Sequence, residues 1–246
     1  MRMHEWTADM IRFMRDASER TAFYEELANE IVATLGGAAA VSRMTLCDAG
    51  CGLGYLSLAL AKRCKRVVAA DVSAPALAVL RENIERQDVD NVEPRLLDIR
   101  QLPEDEHFDA MIFCLFGRLP DVVQIARGHC GRIVVVKKNW TSRRFSMRRD
   151  VEERDTLHEA LQTLEKLGLS CETHVATLAL HQPFRSFEDA MLFFRIYADQ
   201  PDEVDEAIVQ SRLVTGDSAA FPWLLPVPRE LGILFVAFPD VSHDST

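Results

Sequence analysis

The sequence has no apolar run long enough to cross a membrane, and its glycine and proline counts are low. Of 246 residues, 11 are glycine and 10 are proline, too few for a fibrous or low-complexity chain. The start of the chain is polar and charged where a signal peptide needs an apolar segment. These absences exclude a membrane-spanning protein and favour a globular, cytoplasmic protein without a membrane partner.

Cysteine and basic charge are also limited. Six cysteines lack the spacing of a disulfide framework or a zinc site, so we expect reduced thiols and no bound metal. The net charge of −10 argues against nonspecific nucleic-acid binding by the overall field of the protein. One region, 137–149, is basic although the whole chain is acidic, and it contains Lys137, Lys138, Arg143, Arg144, Arg148 and Arg149.

Predicted strands and helices alternate between residues 45 and 136. Strands are expected near 45–47, 66–70, 92–97, 108–115 and 131–136, with helices between most of them. The run 108–115 is almost wholly apolar, as is typical of a parallel strand that is covered on both faces. The pattern therefore predicts an α/β fold with three layers, helices lying on both sides of the sheet.

The first strand ends in Asp48 and is followed by three glycines, Gly50, Gly52 and Gly54, before a helix begins near Tyr55. Glycine can adopt unusual backbone angles and lets a ligand approach the main chain, while the start of the helix offers free N–H groups. A dinucleotide-binding motif would require its third glycine at position 55, where this sequence has tyrosine. The turn therefore indicates a nucleotide-like ligand held by a different motif.

The arrangement Asp48-x-Gly50-x-Gly52-x-Gly54 resembles the first motif of class I S-adenosylmethionine-dependent methyltransferases. The resemblance implies a Rossmann-like, doubly wound and mostly parallel seven-stranded sheet with strand order 3-2-1-4-5-7-6 and an antiparallel strand 7. It also implies that S-adenosylmethionine is the cofactor, S-adenosylhomocysteine its product and methyl transfer the activity.

Two further acids follow predicted strands. Asp71 lies nineteen residues after Gly52 and could accept both hydroxyls of a ribose, or merely cap the next helix. The resemblance assigns the adenine to Asp98 and the backbone of Ile99. The complete set of expected cofactor-binding residues is Asp48, Gly50, Cys51, Gly52, Leu53, Gly54, Asp71, Val72, Asp98, Ile99 and Phe113.

The acceptor half of the site matches no motif that we can name, and the N-P-P-Y and Pro-Cys motifs of some nucleic-acid methyltransferases are missing after the fourth strand. Residues expected to contact the acceptor are Tyr24, Phe116, Lys137, Asn139 and Trp140, and Trp6 could also line the pocket. No catalytic residue is identified. Cys114, His174 and His181 are candidates by residue type, although structural roles are favoured for all three.

We expect a single domain over residues 1–246. It comprises an N-terminal helical cap (1–43), a cofactor-binding core (44–180), a helical insertion that covers the substrate (181–230) and the final strand (231–238). Either a monomer or a homodimer is compatible with the sequence. The leading functional hypothesis is methyl transfer to a small molecule. The alternatives are an RNA or protein methyltransferase that uses the basic run 137–149, and a non-catalytic protein that binds S-adenosylmethionine or a partner.

Overall fold

A seven-stranded sheet forms the centre of the protein in the computed structural model, which describes residues 6–140, 145, 154–198 and 200–238. Its strands are β1 (Thr45–Ala49), β2 (Arg66–Asp71), β3 (Val92–Leu96), β4 (Ala110–Cys114), β5 (Arg132–Lys138), β6 (Glu172–Ala179) and β10 (Pro228–Ala237). The spatial order is β3-β2-β1-β4-β5-β10-β6, and β10 is antiparallel to both neighbours. This is the order that the resemblance implied, so the predicted doubly wound fold is confirmed.

Helices cover both faces of this sheet. One face carries α2 (Phe23–Thr34), α4 (Tyr55–Ala61) and α5 (Ala74–Gln87), and the other carries α6 (Leu119–Arg127) and α7 (Leu157–Lys166). The short helix α3 (Ala38–Val41) leads into β1. Helix α1 (Ala8–Ser18) is the first helix among the described residues, and Thr7 is its N-cap. The layers are therefore helix, sheet and helix, as predicted.

The apolar run of β4 explains why this strand lies in the middle of the molecule. Ala110 and Ile112 pack among the helices of one face, and Met111 and Phe113 pack among those of the other. All four are 0% exposed. Because successive side chains of a strand point to opposite faces, a strand covered on both sides needs apolar residues at every position.

The insertion between β6 and β10 contains a second sheet as well as helices, so its description as helical was incomplete. Its elements are β7 (Gln182–Phe184), α8 (Phe187–Tyr197), α9 (Glu206–Arg212), β8 (Val214–Ser218) and β9 (Phe221–Leu225), with antiparallel strand order β7-β9-β8. Residues 221–225 form β9. Pro222 is tolerated there because the pairing of β8 with β9 is irregular at that point.

Helix α1 packs mainly on the insertion, and its Ala17 also lies in the apolar cluster that contains residues of the central sheet. The ring of Phe13 lies 6.0 Å from that of Phe184 and 5.3 Å from that of Phe193, measured between centroids. Arg12 donates two hydrogen bonds of 3.0 Å to Asp189, and a second arginine–aspartate pair joins the same two segments. The predicted N-terminal cap is thus divided: α1 belongs with the insertion, whereas α2 packs against α4 of the core.

Within the part of the chain that the structure describes, no helix is long and apolar enough to cross a membrane. The same residues contain no group of three or more His, Cys, Asp or Glu side chains that could hold a metal ion. The six cysteines are free thiols. Burial raises the pKa of the Cys64 and Cys130 thiols to about 11, so these two are protonated at neutral pH.

A buried lysine fixes the end of β5. Lys137 is 0% exposed, and its ammonium group donates hydrogen bonds of 2.7 Å to the carbonyl of Gly117 and to both carboxylate oxygens of Asp155. Burial lowers the pKa of Lys137, and the hydrogen bonds to Asp155 oppose that effect. The lysine thereby ties the loop after β4 to the segment that starts α7.

Because the Lys137 ammonium is buried, removing only its counter-ion should lower the free energy of unfolding more than removing both members of the pair. We expect Asp155→Asn to lower the free energy of unfolding by about 1–3 kcal/mol. Asparagine is the suitable replacement, because the φ angle of +60° at Asp155 is one that Asn tolerates. Urea unfolding followed by circular dichroism measures the change.

The double variant Lys137→Met/Asp155→Asn should recover part of this loss, since it leaves no unpaired buried charge. Lys62→Met provides the matched control, because Lys62 pairs with Glu25 at the surface, where its side chain is 55% exposed. A surface pair of this kind contributes only about 0–1 kcal/mol. Equal effects of Asp155→Asn and Lys62→Met would contradict the role assigned to the buried pair.

Candidate active site

The three motif glycines form a tight turn between β1 and α4. Gly50, Gly52 and Gly54 have φ angles of +71°, +55° and +73°, a region that residues with side chains rarely adopt. The N–H groups of Gly50 and Cys51 both donate to the carbonyl of Ala70, at 2.8 and 3.1 Å. The turn is therefore held directly against the end of β2.

Two aromatic rings lie over this turn. A Cβ atom added to Gly50 would lie 2.3 Å from the ring of Phe116, and one added to Gly52 would lie 3.1 Å from the ring of Trp6. Phe116 comes from the loop after β4, and Trp6 precedes α1. The protein's own packing thus excludes a side chain at Gly50, whereas Gly52 has slightly more room.

Gly54 lacks a side chain for a separate packing reason. An added Cβ would lie 2.4 Å from Cδ1 of Leu80 on α5. Gly54 is also the N-cap of α4 and has left-handed backbone angles. The third glycine therefore lets α4 begin close to α5.

The carboxylate of Asp71 holds the turn from the end of β2. One oxygen accepts the N–H of Gly52 at 2.8 Å, and the other accepts the N–H of Ser73 at 2.8 Å. Helix α5 is capped by the Ser73 hydroxyl, which accepts the N–H of Ala76 at 3.3 Å. Each carboxylate oxygen has a second lone pair, so Asp71 can still accept two donors, such as a pair of adjacent hydroxyls.

Asp48 is an ionisable group almost sealed from solvent. It is 2% exposed, and its carboxylate accepts a 2.5 Å hydrogen bond from the Ser57 hydroxyl. Burial raises the pKa of Asp48 to about 6, with a smaller contribution from the negative charge of Asp71, while the bond from Ser57 opposes the change. Near neutral pH the site therefore contains a buried anion with no cation bonded to it among the described residues.

Asp98 lies beyond β3 and interacts with Arg100. The Arg100 side chain donates from Nε to Oδ1 at 2.9 Å, and its backbone N–H donates to the same oxygen at 3.1 Å. These hydrogen bonds lower the pKa of Asp98. Ile99 begins the 3-10 turn Ile99–Gln101 directly after this acid and is 4% exposed.

A cavity of about 630 Å³ lies above the turn. Ten of the residues expected to bind a cofactor line it, namely Asp48, Gly50, Cys51, Gly52, Leu53, Gly54, Asp71, Val72, Asp98 and Ile99. Phe113 is the exception, because it points to the opposite face of β4 and stacks behind Phe116 with ring centroids 6.5 Å apart. Phe113 therefore does not line the cavity with the other residues expected to bind the cofactor.

Of the residues expected to contact an acceptor, Tyr24, Phe116 and Trp140 line the cavity. Lys137 does not, because its ammonium group is bonded to Gly117 and to the start of α7. Asn139 does not line it either, and its side-chain amide instead lies 3.4 Å from a carboxylate oxygen at the start of β10. Trp6, also considered from the sequence, lies on the wall above the glycine turn.

Only part of the basic run 137–149 lies within the described residues. Lys138 lines the cavity, whereas Arg143, Arg144, Arg148 and Arg149 lie outside the described residues. Lys137, at the start of the run, is buried in an ion pair and is therefore not part of a basic surface.

The sequence did not identify three residues of the far wall. Phe145, Tyr197 and Arg229 line the cavity from the segment after β5, the end of α8 and the start of β10. Tyr197 has the spacing of a core residue on α8, and Arg229 follows a proline-rich stretch without a recognisable motif. These side chains meet only after the insertion folds back over the core.

The candidate nucleophile and bases have structural partners. Burial raises the pKa of the Cys114 thiol to about 12, so the thiol is protonated at neutral pH. His174 lies on β6 with Nε2 2.9 Å from the Glu30 carboxylate, and His181 Nδ1 accepts the N–H of Val227 at 3.0 Å. Neither histidine lines the cavity.

The buried Asp48 should make the ligand-free protein less stable as the pH rises. Its pKa is about 6 in the folded protein against an ordinary value of 3.8, so between these values the folded state binds more protons than the unfolded state. The unfolding free energy must therefore fall as the pH rises through this interval, by up to about 3 kcal/mol. Urea unfolding, measured at a series of pH values from 3.8 up to neutrality, tests the prediction.

Asp48→Asn should remove this component, because an amide does not ionise. Asp90→Asn is the matched control, since Asp90 is exposed on the loop between α5 and β3. If the wild-type and Asp48→Asn proteins show the same pH dependence, Asp48 does not carry the buried charge.

Comparison with known proteins supports the interpretation of this site. Residues 46–132 match a family described as a methyltransferase domain. The cypemycin N-terminal methyltransferase of a Streptomyces species is 43% identical over 67 residues, which are 27% of this chain and 26% of that protein. The match therefore spans about a quarter of the curated relative.

Two solved structures share the fold over most of the chain. A Pyrococcus horikoshii protein provisionally assigned as an RNA methyltransferase has a TM-score of 0.56 and 11% identity, with 96% of this chain and 94% of that chain covered. Magnesium protoporphyrin IX methyltransferase from Synechocystis, with bound S-adenosylmethionine, has a TM-score of 0.50 and 13% identity, with 94% and 85% covered. At these identities the structures support the fold alone.

The strand order, the Asp48 glycine motif and the matched domain agree with one another. The motif lies at the carboxyl ends of parallel strands, where open α/β sheets bind their ligands. Residues 46–132 therefore match a methyltransferase domain, and the whole sheet has the strand order of the class I, Rossmann-like fold of S-adenosylmethionine-dependent methyltransferases.

Proposed function

We propose that this protein transfers a methyl group from S-adenosylmethionine to a small-molecule acceptor. The observation that carries the proposal is a single cavity with two different ends. One end contains the glycine turn and the carboxylates of Asp48, Asp71 and Asp98, and the other is walled by aromatic residues. Its volume of about 630 Å³ lies within the range of small-molecule sites.

The cofactor fits the polar end of the cavity. Asp71 retains two lone pairs for the ribose hydroxyls, and Asp98 with the N–H of Ile99 can bind the adenine. The buried carboxylate of Asp48 suits the ammonium group of the amino-acid end.

S-adenosylmethionine supplies a methyl group that is already activated by its sulfonium charge. The protein then has to orient the acceptor, for which correct positioning alone can contribute about 7–11 kcal/mol. Tyr24, Trp140 and Phe145 provide apolar surface for this purpose, and α1 and the insertion keep water from the cavity. These residues bind and orient, and none of them needs to move a proton.

The enclosed aromatic wall favours a small molecule over a macromolecule. An RNA substrate would need an open basic surface, but Lys137 is buried and the net charge is −10. The relatives are named for a peptide N-terminus, RNA and a magnesium porphyrin, so their names do not choose among acceptors. The choice of a small molecule rests on the shape of the cavity.

Incubation with methyl-labelled S-adenosylmethionine and a cell extract tests the proposal. We expect the label to appear in the small-molecule fraction after ultrafiltration and to be unaffected by nuclease or protease treatment. Gly52→Val is the inactive control, because valine at a φ angle of +55° would be strained and would block the turn. Circular dichroism should verify that this variant is folded.

Other outcomes identify the alternatives. Label in RNA or protein would overturn the small-molecule assignment. If the protein binds S-adenosylhomocysteine but transfers no label to any fraction, a non-catalytic cofactor-binding protein becomes the better description.

Asp71 should contribute to cofactor affinity through the ribose. We expect Asp71→Ala to weaken binding of S-adenosylhomocysteine by about 1–3 kcal/mol, because two hydroxyl donors lose their acceptor. Isothermal titration calorimetry measures the affinity.

The variant also frees the N–H of Gly52, so a second ligand is needed to separate ribose recognition from a distorted turn. A 2′,3′-dideoxy analogue of S-adenosylhomocysteine should bind the wild-type protein more weakly than the parent does. For Asp71→Ala the two ligands should bind almost equally. A full affinity difference that persists in the variant would refute the ribose role.

A further inference from the structure

Arg229 is a cation that lines the cavity and has no counter-ion among the residues that the structure describes. It lies on β10 and lines both the main cavity and an adjoining cavity of about 50 Å³. Its Nε atom is sealed from solvent and has no hydrogen-bond partner in the described part of the chain. The ring of Phe23, with its centroid 5.8 Å from the guanidinium carbon, packs against this side chain. No ion pair joins Arg229 to any residue that the structure describes.

The groups around this guanidinium are neutral at physiological pH. Those that act on it electrostatically are the hydroxyls of Tyr24 and Tyr197 and the thiol of Cys114. Burial lowers the pKa of Arg229, although a guanidinium remains charged in proteins. A half-buried charge without a partner among the described residues costs stability, and an anion that entered the cavity would reduce that cost.

The anion could belong to the cofactor or to the acceptor, and the fold favours the acceptor. Arg229 lies on β10, whereas the glycine turn follows β1, with β4 and β5 between them in the sheet. Three strand spacings correspond to roughly 14 Å. Asp71 and Asp98 lie farther away, after β2 and β3. Arg229 also borders the small cavity beside Phe193 and Tyr197 of the insertion, which is remote from the turn.

We infer that Arg229 binds a carboxylate of the methyl acceptor, and that the acceptor is therefore a small organic acid with an apolar or aromatic body. The statement that this molecule is the methyl acceptor rests on the proposed function, whereas the statement that Arg229 binds a carboxylate does not. The planar guanidinium presents paired N–H donors that match a carboxylate. Tyr24, Phe145 and Tyr197 provide the apolar surface beside it.

A monoanion suits this position better than a phosphate. A single guanidinium matches a carboxylate, whereas a phosphate dianion is usually held by several cations or backbone N–H groups. The carboxylate serves as an anchor. Its pairing with the guanidinium reduces its nucleophilicity, so the methyl group goes to another atom of the acceptor.

Ligand-detected NMR with a fragment panel tests the inference. The protein is first saturated with S-adenosylhomocysteine, and the panel consists of small aromatic and aliphatic carboxylates, each paired with its carboxamide and, where available, its phosphate analogue. We expect a set of carboxylates to bind in preference to their carboxamides. Arg229→Gln should reduce the affinity of these carboxylates by about tenfold or more.

Arg127→Gln is the matched control. Its guanidinium carbon also lies 5.8 Å from an aromatic centroid, that of Phe238, but Arg127 is on α6 and does not line the cavity. This variant should bind the carboxylates as the wild-type protein does. The inference is overturned if no carboxylate is preferred, if the preference survives in Arg229→Gln, or if the phosphates bind best.

A second experiment determines whether the anion that Arg229 binds belongs to the cofactor or to the acceptor. S-adenosylhomocysteine has a carboxylate and 5′-methylthioadenosine has none, so their affinities are compared by calorimetry. We expect Arg229→Gln to leave both nearly unchanged. If the variant weakens only S-adenosylhomocysteine, Arg229 binds the cofactor and the inference fails. Because neither arm requires methyl transfer, their results are independent of the labelling experiment that tests the proposed function.

Stability separates a binding role from a structural one. Arg229→Met removes a half-buried charge that has no partner among the described residues, so the ligand-free variant should unfold at the same temperature as the wild-type protein or higher. A structural arginine would show the opposite, and a clear loss of thermal stability would count against the inference.

Discussion

The site depends first on the two backbone N–H groups that Asp71 accepts. Through Gly52 and Ser73, its carboxylate joins the turn after β1 to the turn after β2. The carbonyl of Ala70 reinforces this junction by accepting two more N–H groups from the glycine turn. Because α4 and α5 begin at these two turns, the same bonds set the helix positions and the floor of the cavity. A buried backbone donor needs a partner, and here its partner is also a residue suited to bind ligand.

The opposite wall is built from segments that are far apart in the sequence. Helix α1 attaches to the insertion through Phe13 and two arginine–aspartate pairs, and α2 attaches to the core. Tyr24 therefore approaches the cavity on the core side, while Tyr197 approaches it with the insertion. Helix α1 links the two sides, because its Phe13 packs on the insertion and its Arg15 pairs with Glu82 of α5, while Trp6 just before it covers Gly52. Access to the cavity and cover of the turn are thus coupled by packing.

The sequence predicted the parts of the protein that depend on local pattern. The positions of the glycines, of Asp71 and of Asp98 follow from strand ends and spacing, and the parallel sheet brings them to one edge. It failed where side-chain direction or tertiary contact decides. Phe113 and Phe116 are neighbours on one strand and its loop, yet only Phe116 faces the cavity. The role of Lys137 depends on Asp155, and a basic run in the sequence does not reveal such a partner.

A buried carboxylate, Asp48, and a half-buried guanidinium, Arg229, give the cavity its polarity. Burial raises the pKa of the Tyr24 hydroxyl and of the Cys114 thiol, and Asp48 adds to this change while Arg229 opposes it. The charges are too far apart to pair: Asp48 is bonded to Ser57, and Arg229 to no described residue. Each of these two charges therefore lowers the stability of the ligand-free protein, as charged groups of functional sites often do. In the proposed complex, the cofactor's ammonium compensates one charge and the acceptor's carboxylate the other. Because the two ligands neutralise different charges, each ligand gains binding energy by pairing with a charge that is unpaired in the free protein.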